Sequence, residues 1–172
     1  MRTKHREASD AVADVERKIR DLEQKTSTDY GPDGRWLHLQ GECIEFKPGG
    51  EFSYEMCPFG EAKQKDSRGI GTSVGKWDGF GRLGEEEGAA GGAERYKTMR
   101  FSNGQHCWNG PARSLVVSVS CGPENKILGV EEPEVCKYSM RFETPAACTE
   151  AHRAEAQADL DLLSAAPKKD EL

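Results

Sequence analysis

Near the amino end, apolar side chains recur at alternating steps of four and three: Ala8, Val12, Val15, Ile19 and Leu22. This is the a/d stripe of an α-helix, the pattern that packs in coiled coils. Acid-then-base pairs four residues apart, Asp14–Lys18, Glu16–Arg20 and Asp21–Lys25, support the surface of the same helix. A helix is therefore predicted over 4–26, inside a lead-in covering 1–28. The stripe spans little more than two heptads and is marginal by itself. Two readings stay open: an amphipathic helix docked on the following domain, or the end of a longer coiled coil.

From Thr28 to Gly34 the turn formers Asp29, Gly31, Pro32, Asp33 and Gly34 end the helical period. Short two-periodic runs follow, at 35–40, 42–47, 51–57, 73–80, 96–101, 115–121, 126–130 and 136–143, and each reads as a strand. Pro48-Gly49-Gly50 and Ser102-Asn103-Gly104 read as hairpin turns. The run at 115–121 is the clearest: Leu115, Val117, Val119 and Cys121 share one face, and Val116, Ser118 and Ser120 the other. Cys136, Tyr138, Met140 and Phe142 alternate in the same way. The expected fold over 35–148 is all-β, a flattened barrel or sandwich. The segment 84–94 contains only Gly, Ala and Glu and reads as a loop. Residues 149–165 read as a short helix, and 149–172 as a helical tail.

Composition narrows the function classes. Of 172 residues 31% are charged and 35% hydrophobic, with a net charge of −6. Acidity argues against nucleic acid and against an anionic membrane surface. No apolar run approaches the roughly 20 residues that span a bilayer. The six cysteines, at 43, 57, 107, 121, 136 and 148, include no Cys-x-x-Cys pair. That disfavours a zinc site and points to three disulfides; six cysteines allow about 15 pairings. No metal and no cofactor are expected. The last four residues, Lys169-Asp170-Glu171-Leu172, read as an endoplasmic-reticulum retrieval signal recognised by a receptor. An oxidising lumen agrees with the cysteine reading. Residues 1–29 contain no apolar signal core, so the chain is expected to be the carboxyl-terminal part of a longer precursor.

The chemistry concentrates in the run Cys107-Trp108-Asn109-Gly110-Pro111-Ala112-Arg113, in Glu132-Pro133-Glu134-Val135-Cys136-Lys137-Tyr138, and in Pro145-Ala146-Ala147-Cys148. These motifs, in this order and with this cysteine spacing, resemble the mannose 6-phosphate receptor homology (MRH) domain, a lectin module for terminal mannose. The resemblance covers about 41–148. More narrowly, the chain resembles the carboxyl-terminal part of the glucosidase II beta subunit family, and the helical lead-in and the final four residues agree.

The resemblance implies a sugar site made of Gln64, Arg113, Glu132 and Tyr138. Arg offers donors only, a carboxylate acceptors only, and an amide and a phenol both, so the set suits a neutral, hydroxyl-rich hexose. Gln64 and Arg113 would hold the 2-hydroxyl, and Glu132 and Tyr138 the 3- and 4-hydroxyls. Glu131 competes with Glu132, but the Glu-Pro-x-x-Cys spacing favours Glu132. Read from the residues alone, Gln64 is a solvated loop residue, Arg113 could pair with Glu132, and Tyr138 could be a core aromatic. Trp108 is either a sugar-packing platform or a plug at the barrel end, while Trp36 and Trp77 read as packing residues. The implied disulfides are 43–57, 107–136 and 121–148. No basic cluster marks a phosphate subsite, so plain mannose is expected.

The implied function is a non-catalytic lectin in the regulatory subunit of endoplasmic-reticulum glucosidase II. Its partners would be mannose-bearing N-glycans and the catalytic alpha subunit, the latter docking further upstream. A lectin that sorts misfolded glycoproteins for degradation is the alternative. A glycosidase would need two carboxylates a few ångströms apart, and no spacing here singles out such a pair.

Overall fold

The computed structural model describes residues 2–81 and 92–165. The four residues read as a retrieval signal, 169–172, and most of the Gly/Ala/Glu segment, 84–91, lie outside the described residues. The chain divides into two compact units, Met1–Gly34 and Arg35–Leu172.

In the first unit, α1 runs Arg2–Ser27. Asp14 reaches Arg17 at 3.3 Å and Lys18 at 2.9 Å on its surface. Near its end the Thr26 hydroxyl donates to the carbonyls of Leu22 and Glu23, at 3.1 and 2.9 Å. Val12, Val15, Ile19 and Leu22 are 49% to 61% exposed, so the apolar stripe faces solvent. A 3-10 turn at Pro32–Gly34 closes the unit.

The second unit is built on one eight-stranded sheet: β1 (Ile44–Phe46), β2 (Ser53–Met56), β3 (Glu61–Lys65), β4 (Gly71–Phe80), β5 (Thr98–Ser102), β6 (Ser114–Cys121), β7 (Lys126–Glu134) and β8 (Lys137–Thr144). The spatial order is β1-β2-β3-β4-β5-β6-β8-β7. Every pairing is antiparallel except β6 with β8, which is parallel. The edge strands β1 and β7 lie beside each other, so the sheet curls into a nearly closed barrel. Asn125, just before β7, donates to Glu42, just before β1, at 3.0 Å, and accepts from the fully buried Thr144 hydroxyl at 2.7 Å. A polar clasp thus sits where the edges meet, and curling in this way covers edges that would otherwise present free ladder groups.

The two-residue period places the core. Leu115, Val117 and Val119 on β6 stand opposite Tyr138, Met140 and Phe142 on β8, and all six are buried. Met56, Ala62, Val74, Met99 and Phe101 continue the core around the barrel. At one end Trp36, Phe59, Trp77, Phe80, Phe101 and Tyr96 form an aromatic cluster with ring centroids 4.6 to 6.4 Å apart. Disulfides join Cys43 to Cys57, Cys107 to Cys136 and Cys121 to Cys148, leaving no free cysteine. The helix α2 (Glu150–Ala165) follows, with Leu160, Leu162 and Leu163 exposed.

Three expectations need correction. The run at 35–40 is not a strand; Leu37–Leu39 form a 3-10 turn. Trp36 and Leu39, three residues apart, are both buried; a three-residue turn puts them on one side, whereas a strand would oppose them. Gln64 is not in a loop after a strand but on β3, whose sequence Glu-Ala-Lys-Gln-Lys gives no apolar alternation. Ser102-Asn103-Gly104 does not close a tight hairpin between β5 and β6; the chain makes a longer excursion before returning at Ser114.

Candidate functional site

That excursion is the first component of the site. Gly104 N–H bonds the Arg113 carbonyl at 2.9 Å, and Arg113 N–H bonds the Gln105 carbonyl at 3.2 Å. His106 pairs with Ala112 as an isolated bridge, and Cys107 N–H reaches the Pro111 carbonyl at 3.1 Å. The result is a small two-stranded arm with Arg113 at its base and Trp108 at its tip. Gly104 permits the base to form: a Cβ there would lie 2.7 Å from the Val74 carbonyl carbon and 2.8 Å from the Arg113 oxygen. Asn109, at φ 56°, turns the tip.

Arg113 is aimed by its own arm. Its Nη1 donates to the Gln105 and His106 carbonyls, at 3.1 and 3.2 Å. Its Nε is screened from solvent and has no acceptor, an unmet donor in a group with five. Among the described residues there is no ion pair between Arg113 and Glu132, so the salt-bridge reading of that pair fails. Trp108 is 99% exposed. It is not the plug of the barrel end; Trp36 and Trp77 do the internal packing.

The second component is the β7–β8 connection. The register shifts between Glu131 and Glu134, a bulge that takes Glu132 out of the ladder. The Glu132 carboxylate accepts the Cys136 N–H at 2.7 Å. Cys136 itself sits at φ 67°, and its carbonyl accepts from Ser114 N–H at 3.1 Å. Together with the Cys107–Cys136 disulfide, this binds the arm, β6 and the bulge at one point.

Tyr138 lies two residues on, 5% exposed, opposite Leu115. Burial pushes its phenol above the ordinary 10.0; the Arg113 guanidinium opposes that shift and the Glu132 carboxylate adds to it. The cation and the anion therefore both act on the same phenol.

The third component is the β2–β3 ladder. Tyr54 and Gln64 are direct cross-strand partners, next to the buried pair Met56 and Ala62. Gln64 Nε2 donates to the Tyr54 hydroxyl at 3.1 Å, and the Tyr54 ring lies 6.4 Å from that of Tyr138. The structure thus joins Gln64, Tyr54, Tyr138, Arg113 and Glu132 into one connected group drawn from four strands and the arm. No motif marks Tyr54 in the sequence; its place opposite Gln64 follows only from the pairing of β2 with β3. Trp108 belongs to the group only through the backbone beside Cys107. Among the described residues no cluster of three or more His, Cys, Asp and Glu side chains could hold a metal ion. No helix among them is long and apolar enough to cross a membrane.

Known proteins share both the sequence and the fold. A crystal structure of the MRH domain of glucosidase II beta bound to mannose superimposes with a TM-score of 0.50 and 31% identity, covering 66% of this chain and 99% of that one. The glucosidase 2 subunit beta of Oryza sativa subsp. indica is 35% identical over 172 residues, all of this chain but 26% of that protein. The Homo sapiens subunit is 37% identical over 128 residues, 74% of this chain and 22% of that protein. The chain therefore spans about a quarter of the length of these relatives. With the family described as glucosidase II beta subunit-like protein matching residues 1–172, the chain belongs to that family, and its barrel is an MRH domain.

Proposed function

We propose that residues 35–148 bind the mannose of N-glycans, without catalysing a reaction themselves, as the lectin part of the regulatory subunit of glucosidase II. The observation that supports this most is the connected group of Gln64, Tyr54, Tyr138, Arg113 and Glu132, one end of which is braced by the Cys107–Cys136 disulfide. Its donors and acceptors complement a ring of hydroxyls. The Arg113 guanidinium supplies donors; Glu132 supplies acceptors; Gln64, its Nε2 engaged by Tyr54, has its carbonyl oxygen left to accept. The mannose-bound relative adds the ligand. Trp108, exposed at the tip of the arm, offers an aromatic face to the C–H surface of a sugar.

A monosaccharide has about a dozen heavy atoms, and at roughly 0.3 kcal/mol per atom its affinity is near millimolar. Such binding releases readily. In the finer reading, holding mannose on one glycan branch raises the effective concentration of the glucosylated branch at a catalytic alpha subunit, which the longer protein would recruit. Residues 169–172 would return the complex to the endoplasmic-reticulum lumen.

The test is titration of the chain with methyl α-mannoside by calorimetry or NMR, wild type against Arg113→Ala. Binding lost in the variant, with its thermal transition retained, is expected; unchanged binding contradicts the assignment. Release of glucose from a glucosylated glycan by this chain alone would contradict the non-catalytic part.

A further inference from the structure

The feature that the sugar site leaves unused is the stripe on α1. Val12 and Ile19 recur seven residues apart, as do Ala8, Val15 and Leu22, and the four larger side chains are all exposed. With Val12 and Ile19 at a, and Ala8, Val15 and Leu22 at d, the flanking positions follow. Glu16 and Glu23 fall at e; Ala11, Lys18 and Lys25 fall at g. We propose that α1 docks on α1 of a second copy of this chain as a parallel, in-register two-stranded coiled coil.

Two independent features select this occupant. The first is side-chain shape. The a positions, Val12 and Ile19, are both β-branched, and one of the three d positions, Leu22 after Ala8 and Val15, is leucine, a choice that leans to two parallel strands. The second is charge. In a parallel pair, g of one helix faces e of the next heptad on the other, which sets Lys18 against Glu23 of the second copy, twice by symmetry. An antiparallel pair sets g against g and e against e, bringing lysine to lysine and glutamate to glutamate. The helix is complementary to itself in one orientation and repels itself in the other. Lys18 also reaches Asp14 of its own helix at 2.9 Å, but both side chains are well exposed. Such pairs contribute little and exchange freely.

The experiment is sedimentation equilibrium of the full chain over a concentration series, with reversible association to twice the monomer mass expected. Ile19→Asp removes the association while the unfolding transition of the barrel stays in place. Lys18→Glu weakens dimerisation about tenfold or more; the double variant Lys18→Glu/Glu23→Lys regains most of it, although the Asp14 pair is still lost. A chain that stays monomeric at every concentration overturns the proposal. So does a Lys18→Glu variant that associates as tightly as the wild type, or a double variant no better than the single one.

Discussion

The Glu132 carboxylate accepts the backbone N–H of Cys136 at 2.7 Å, and the sulfur of that cysteine is bonded to Cys107, the residue before Trp108. An acid, a cross-link and the arm that carries Arg113 are therefore held as one piece. Preorganisation of this kind lowers the ordering cost of binding.

Removing that cross-link should damage both stability and binding. Cys107→Ser/Cys136→Ser is expected to lose about 2–5 kcal/mol of unfolding free energy, and mannose affinity falls under conditions where the variant is still folded. Cys121→Ser/Cys148→Ser, which lies at the other end of β6 and β8, costs comparable stability and leaves affinity largely intact once folded. Denaturant melts and sugar titrations on both variants check this; equal loss of affinity in the two would show that the arm is not specially tethered.

Tyr54 has a different role, the orientation of Gln64. Tyr54→Phe keeps the ring beside Tyr138 and deletes the oxygen that receives Gln64 Nε2. Loss of one such bond is worth about 0.5–1.5 kcal/mol, so mannose affinity should weaken several-fold with little change in thermal midpoint. Calorimetric titration measures it; an unchanged affinity would mean that Gln64 is positioned without Tyr54.

Much of the fold was legible in the sequence, and the illegible parts share a cause. Leu115, Val117 and Val119, and Tyr138, Met140 and Phe142, alternate because each strand has one buried face, and alternation is what a sequence displays. β3 buries Ala62 alone, so its sequence carries no strand signal and Gln64 reads as a loop residue. Trp36 and Leu39 obey a period of three, which a six-residue run does not distinguish from a strand. The candidate site followed the same division. Arg113, Glu132 and Tyr138 lie near cysteines and carry motifs, whereas Tyr54 joins the group only through strand register. Trp108 could not be assigned between platform and plug, because exposure is a property of the fold.

Alkaline titration tests the environment of Tyr138. Burial holds its folded pKa above 10.0, with Arg113 opposing and Glu132 reinforcing. For a raised pKa, the stability contribution is complete below the unfolded value and is lost as pH rises through the folded one. The unfolding free energy of the wild type should therefore fall more steeply above pH 10.0 than that of Tyr138→Phe, with the difference between them flat at lower pH. Urea melts across that range decide it; parallel curves would place the phenol in an ordinary aqueous setting.

The close approach at Gly104 makes a further prediction. A methyl group there would meet the Val74 and Gly75 backbone and the Arg113 carbonyl at 2.7 to 2.8 Å. Gly104→Ala should cost about 1–3 kcal/mol in denaturant unfolding and lower mannose affinity as well, because the arm springs from that point. A variant with wild-type stability would show that the base of the arm yields without cost.

In the proposed site Gln64, Arg113, Glu132 and Tyr138, with Tyr54 orienting Gln64, read the hydroxyl pattern of one neutral hexose. Heteronuclear NMR titration of the chain with methyl α-mannoside and then methyl α-glucoside, which differ only at the 2-hydroxyl, addresses it most directly. Mannoside should shift the resonances of Tyr54, Gln64, Arg113, Glu132 and Tyr138 together, and glucoside should bind at least about fivefold more weakly, since one mispaired polar group costs about 1–3 kcal/mol. Equal response to the two sugars, or shifts confined to other parts of the barrel, would contradict the account.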